Sequence, residues 1–182
     1  PLVSVVRSEE IKMTTTYTNV KVVNNLYQVA FKKTIPGSLR YGRNSYDFQE
    51  GSLICTAPGQ VVLYENQEEV AAAVEGWSLI FHPDLFRKSD LAEKIDDYGF
   101  FNYASNEALH LSDDESTHLE ELLSKIIMEY SQNLDRHSLP LINSNIEMLL
   151  DYCLRYYDRL FFTRTDLNKD VISKFEKILK AY

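Results

Sequence analysis

The chain has 182 residues, 45% hydrophobic and 25% charged, which suits one well-buried domain or a small domain carrying a helical appendage. Nineteen Lys and Arg stand against 27 Asp and Glu, a net charge of −8, and no Lys/Arg cluster is large enough to hold nucleic-acid phosphates. No run approaches the ~20 apolar residues of a membrane span. Residues 1–12 also lack the charged start and apolar core of a secretion signal, so a cytoplasmic protein without membrane contact is expected.

Residues 1–16 read as an N-terminal arm. From there to about residue 83, short apolar and aromatic runs alternate with turn signals. Val20 to Val23 is followed by Asn24-Asn25, then by Tyr27, Val29 and Phe31 at period two, ending at Lys32-Lys33. Ile35-Pro36-Gly37, Glu50-Gly51 and Ala57-Pro58-Gly59 mark turns. Leu53 to Thr56, Val61 to Tyr64 and Gly76 to His82 are further strands, rich in branched and aromatic residues. Ala71 to Val74 is ambiguous between helix and strand. Short strands at this spacing predict an antiparallel barrel or sandwich over residues 17–83.

After His82-Pro83 the period becomes helical. Asp90 to Asp97 reads as a short helix, with Asp90 and Glu93 spaced as a capping pair. Ser112-Asp113-Asp114-Glu115 forms a capping box with acidic residues where the helix dipole favours them. Behind it Leu119, Leu122, Leu123, Ile126, Ile127 and Tyr130 recur on one face. A second long helix starts near Ser138, with Pro140 in its first turn. Its stripe is Ile142, Ile146, Leu149, Leu150, Cys153, Leu154, Tyr157 and Leu160. Phe161 to Asp166 breaks the pattern, and Lys169 to Tyr182 forms a third amphipathic helix. Strands first and helices second make an α+β layout, with a helical region at 84–165 and a linker and helix at 166–182.

No enzyme chemistry emerges. His82, His110, His118 and His137 do not pair at metal-ligand spacing. There is no GxSxG elbow, phosphate loop or GxGxxG turn. Cys55 and Cys153 stand far apart, outside any CxxC pair, and read as reduced core residues. Neither a catalytic residue nor a metal or other cofactor is expected. What remains is a pocket: in a small barrel alternate residues point inward and can enclose one small ligand. Tyr27, Phe31, Arg43, Tyr46, Trp77 and Phe81 are the candidate lining residues, with Arg40 and Arg43 flanking Tyr41 as anchors for an anionic group. For any single aromatic, ordinary core is the favoured reading over pocket lining, and for Arg43 a solvated loop charge is favoured more strongly still.

The run Asp47 to Gln60 resembles the mid-barrel segment of the sensor domains of bacterial AraC-type regulators. Gly76 to Phe86 resembles the place where a last strand leaves the barrel for a short helix. Tyr98-Gly99-Phe100-Phe101 and the helix opening at Leu111 to Glu115 continue the likeness. Tyr156-Tyr157-Asp158-Arg159 with Phe162-Thr163-Arg164 looks like the family's linker, and Lys169 to Tyr182 like the helix before its two helix-turn-helix motifs. The resemblance implies a cupin-like, jelly-roll β-barrel that binds a small effector, followed by a helical region that forms a homodimer. DNA would be contacted only through a C-terminal helix-turn-helix domain absent from this chain. Metal-binding cupins carry two histidines in HxH spacing and a third later; here Arg43, Ser45 and Val62 hold those places, although Asn66 matches.

The function expected from the resemblance is effector sensing and dimerisation in a transcription regulator. Leu119, Leu122, Leu123, Ile126, Ile127 and Tyr130 would be shared between dimer contact and packing on the barrel. A charge at Leu123 would then give a folded monomer. The alternatives are a stand-alone non-metal cupin enzyme of the isomerase kind, and a pure dimerisation module whose barrel binds nothing.

Overall fold

The computed structural model describes residues 2–10, 18–33, 39–41, 44–46, 51–66, 75–101 and 109–180; of 18–20, 39–41, 44–46, 62–66 and 160–180 it describes the backbone alone. Among the described residues nine strands come before two long helices. The strands are β1 (Val3–Arg7), β2 (Thr18–Val23), β3 (Tyr27–Lys32), β4 (Leu39–Tyr41), β5 (Asn44–Tyr46), β6 (Ser52–Thr56), β7 (Val61–Asn66), β8 (Gly76–Phe81) and the two-residue β9 (Leu109–His110). The helices are the single turn α1 (Leu91–Lys94), α2 (Asp113–Ser131) and α3 (Ser138–Lys180). The α+β layout expected from the pattern is present.

Every ladder among the described residues is antiparallel. Four pairs are nested in the chain, β1 with β8, β2 with β7, β3 with β6 and β4 with β5. Two more, β3 with β8 and β4 with β7, lay that ribbon out as a five-stranded sheet β1-β8-β3-β6-β9 and a four-stranded sheet β2-β7-β4-β5. Among the described residues no ladder joins the two sheets, so neither closes into a continuous barrel. Two of the links between sheets are short turns. Asn24 Oδ1 accepts from Leu26 N at 3.1 Å to turn β2 into β3, and Gly59 N donates to Asn24 O at 2.8 Å across the neighbouring turn. Gly59 sits at φ +82°, open to a glycine without strain.

The segment expected to be an arm supplies β1, which pairs along its whole length with β8. Asp90 does not cap the short helix: its backbone is already helical and its side chain makes no capping bond. The reason lies just upstream, where Ser89 N donates to Phe86 O and the chain is turning before Asp90 is reached. A capping residue needs an extended backbone to aim its side chain at the first N–H groups. Ser112 has that backbone. Glu115 N donates to Ser112 Oγ at 3.3 Å and Ser112 N donates to Glu115 Oε2 at 2.9 Å, completing the expected box at the start of α2.

The break expected at Phe161 to Asp166 does not occur; α3 is one helix of 43 residues. None of those six residues is a glycine or proline, so nothing there removes a backbone hydrogen bond or loosens the chain. At 1.5 Å per residue it is about 65 Å long. Arg159 pairs with Glu115 in the first turn of α2, so helix residues 160–180 continue past the place where α2 begins.

One core holds sheet and helices together. Val29, Phe31, Leu53, Trp77, Leu79 and Phe81 from the sheet meet Leu119, Leu122, Leu123 and Ile126 of α2 and Ile142, Ile146, Leu149, Leu150 and Cys153 of α3. Polar ties lock the short turns to this layer. Tyr98 Oη donates to Asp151 at 2.6 Å, Asn143 Nδ2 to Leu85 O at 3.2 Å, and Gln60 Nε2 to Phe101 O at 2.6 Å. Among the described residues no helix is long and apolar enough to cross a membrane.

Candidate functional site

The five-stranded sheet has two faces of opposite character. On β3, Tyr27, Val29 and Phe31 point one way and Gln28, Ala30 and Lys32 the other. Register carries this across the sheet: Tyr27 lies beside Phe81, Val29 beside Leu79 and Cys55, and Phe31 beside Trp77 and Leu53. This face meets the helices. Tyr27 stacks on Phe81 with centroids 5.3 Å apart and presents its ring to Phe101 at 5.0 Å. Phe100 in turn meets Tyr157 of α3. At the far end Arg7 reaches Glu120 of α2 at 4.0 Å.

The aromatic residues expected to line a ligand pocket are therefore found together, but in the packed core. Trp77 and Phe81 retain 0% and 1% of their surface, Phe31 is also buried, and Tyr27 is part-buried against the same cluster. Phe31 and Trp77 rings pack at 5.9 Å. Alternation tells which residues share a face; it does not tell which face the helices will cover. Trp77 Nε1 is sealed in this core without an acceptor, a cost the packing has to offset. Arg43 lies outside the described residues. Tyr46 falls in β5, where the backbone alone is described.

The opposite face has a different composition. In three successive rows it carries Ser4, Ile80, Gln28 and Thr56; then Val6, Ser78, Ala30 and Ile54; then Gly76, Lys32, Ser52 and His110. Most of these side chains are small or polar. Yet Ala30, Ser52, Thr56 and Ser78 are buried, and the helices that fill the first face cannot be what buries them. Gln28 Nε2 donates to Ser78 Oγ at 3.3 Å, and Ser52 Oγ meets His110 Nδ1 at 3.2 Å. Thr56 Oγ1 is buried with no hydrogen-bond partner among the described residues. Lys32 is part-buried, and loss of solvent pushes its ammonium below the ordinary lysine range. Among the described residues no carboxylate pairs with it, whereas its neighbour Lys33 is exposed and faces Glu75 at 3.7 Å.

Neither cysteine is in a disulfide; Cys153 is buried, and desolvation raises its thiol above the ordinary value. Among the described residues no group of three or more His, Cys, Asp or Glu is placed to hold a metal ion. Of Ser45, Val62 and Asn66, compared above with cupin metal positions, the backbone alone is described.

The helical stripe expected at a dimer contact is also turned inward. Leu119, Leu122, Leu123 and Ile126 have almost no surface left within the single chain, and Ile127 and Tyr130 pack against the same core. Large apolar side chains stand exposed elsewhere on the helical layer: Met128 on α2, Leu134 in the connection, and Leu139, Leu141 and Met148 on α3. No protein-family model matches the chain, and no curated protein matches it at a significant level.

Proposed function

We propose that this chain is the effector-sensing and dimerisation part of an AraC-type transcription regulator. The observation that carries the proposal is the nested pairing of β1 with β8, β2 with β7, β3 with β6 and β4 with β5. A strand ribbon paired in this way and wound into two sheets follows the path of a jelly roll, and here it leads directly into a helical layer, the order the resemblance implies. The opposite face of the five-stranded sheet supports the sensory half, because small and polar side chains such as Ala30, Ser52, Thr56 and Ser78 line it where the first face is filled by aromatic core. The effector would sit on that face, not among Tyr27, Phe31, Trp77 and Phe81.

Dimerisation would use the outward side of α2 and α3. Met128 lies opposite the buried stripe of α2, and Leu141 and Met148 are two turns apart on one line of α3. The second copy is the occupant such a surface fits, and an effector would act by biasing how the helical pairs meet. DNA contact belongs to a segment outside this chain, since a net charge of −8 does not suit phosphate binding.

The native reading frame beyond residue 182 tests the proposal. A basic segment with two helix-turn-helix patterns supports it. A stop codon directly after residue 182 removes the link to DNA.

A further inference from the structure

The second face of the five-stranded sheet has polar groups that the protein itself leaves unmatched. Thr56 Oγ1, in a residue only 5% exposed, has no hydrogen-bond partner among the described residues. Lys32 carries a part-buried ammonium with no carboxylate among the described residues. Among the described residues Gln28 makes a single long side-chain bond, to Ser78. Unpaired buried polar groups destabilise a fold, and an unpaired charge does so most. A bound molecule that supplies the missing partners would remove this cost.

On the sheet itself the neighbours of Lys32 are small. Lys32 lies in register with Gly76 on one side and Ser52 on the other, so its two strand neighbours on this face are small. Gly76 cannot be larger, because a Cβ there would meet Phe31 O at 2.1 Å. Gln28 and Lys32 are four residues apart on one strand, about 13 Å. Between their rows lie Ala30, Ser78, Val6 and Ile54, a floor that is small in the middle and mildly apolar at the edges.

We infer that this face holds a small carboxylate-bearing molecule, its anionic group on Lys32 and its hydroxylated or apolar body over Ala30 and Ser78 toward Gln28 and Thr56. The inference rests on the sensory role proposed above and gives the effector its chemical class. An ammonium–carboxylate hydrogen bond in a covered site is among the stronger polar contacts available to a protein. Hydroxyl groups on the ligand would satisfy Thr56 Oγ1 and the free amide positions of Gln28.

The test uses the full chain with [13Cε]lysine incorporated, so that Lys32 reports its own environment. Its resonance is assigned by loss in Lys32→Met. Three carboxylates, D-glucuronate, benzoate and hexanoate, are compared with glucose, benzyl alcohol and hexanol. The expected result is that at least one carboxylate shifts the Lys32 resonance and raises Tm, that its neutral analogue binds at least tenfold more weakly, and that Lys32→Met loses this preference. Neutral analogues that raise Tm as much as the acids, with Lys32 unmoved, would overturn the carboxylate class while leaving a ligand sensor in place. If none of the six moves either readout, the carboxylate assignment fails, and the reading frame beyond residue 182 decides the regulator role separately.

Discussion

Gly76 opens β8 with φ +147°, and a Cβ on it would lie 2.1 Å from the carbonyl oxygen of Phe31 on the neighbouring strand. Both the dihedral and the contact exclude any side chain, and the obstacle is backbone, which cannot swing away. Gly76→Ala is expected to destabilise the protein by about 3 kcal/mol or more, the sum of local strain and overpacking. Urea unfolding of the two proteins reads this directly. A loss under about 1 kcal/mol would mean that β3 and β8 can part here without cost.

The capping box at α2 is a coupled pair. Ser112 and Glu115 each satisfy the other's backbone N–H, and Glu115 also meets Arg159 of α3. Ser112→Ala should cost about 1 kcal/mol. Glu115→Ala should cost at least as much, because it loses the reciprocal bond and the tie to α3, although Arg159 is half-exposed and contributes less than about 1 kcal/mol. The double variant should lose less than the sum of the two. Strict additivity in thermal unfolding would mean that the two bonds act independently.

What the amino-acid pattern made legible follows from what period and local chemistry encode. Ser112 and Glu115 have both the residue types and the spacing of a cap, and the box formed; Asp90 and Glu93 have the same spacing, but Asp90 sits in a chain already turning. Tyr27, Val29 and Phe31 share a face as their alternation requires, yet the choice of face was made by α2 and α3, far away in sequence. That choice relocated the candidate site. Lys32 reads locally as a solvated strand end beside Lys33, and only the pairing of β3 between β6 and β8 places it on a covered face. Phe161 to Asp166 interrupts the apolar stripe without containing a helix breaker, so hydrophobic period and helix continuity separated there.

Burial also separates two kinds of helix substitution. Leu123 is 0% exposed, so Leu123→Glu would bring an unpaired carboxylate into the core and is expected to cost more than about 4 kcal/mol, giving an unfolded chain instead of a folded monomer. Met148 is 47% exposed on the outward side of α3. Met148→Glu should change stability by less than about 0.5 kcal/mol while weakening self-association at least tenfold. Circular dichroism and sedimentation velocity on the two variants distinguish the effects. A Met148→Glu protein that associates as strongly as the parent would take the dimer contact away from this surface.

Lys32 should be a liability to the ligand-free fold. Its ammonium is desolvated on a covered face and held below its ordinary protonation range, so the folded state binds the proton less readily than the unfolded chain does. Between the folded value and the ordinary 10.5, the unfolded chain carries more protons, and stability from this group therefore rises as pH rises through that window. Below the folded value its cost is fully present. Lys32→Met, which keeps the stem and removes the charge, is expected to raise the Tm of the ligand-free protein at neutral pH by about 2–4 °C, the shift that roughly 1 kcal/mol produces in a domain of this size. The gap between the two proteins should narrow as pH approaches 10.5, because the parent loses its buried charge there and the variant has none to lose. Thermal unfolding of both proteins across neutral to alkaline pH checks the sign. A variant less stable than the parent at neutral pH, with a gap independent of pH, would mean that the lysine supports the fold and has a partner of its own.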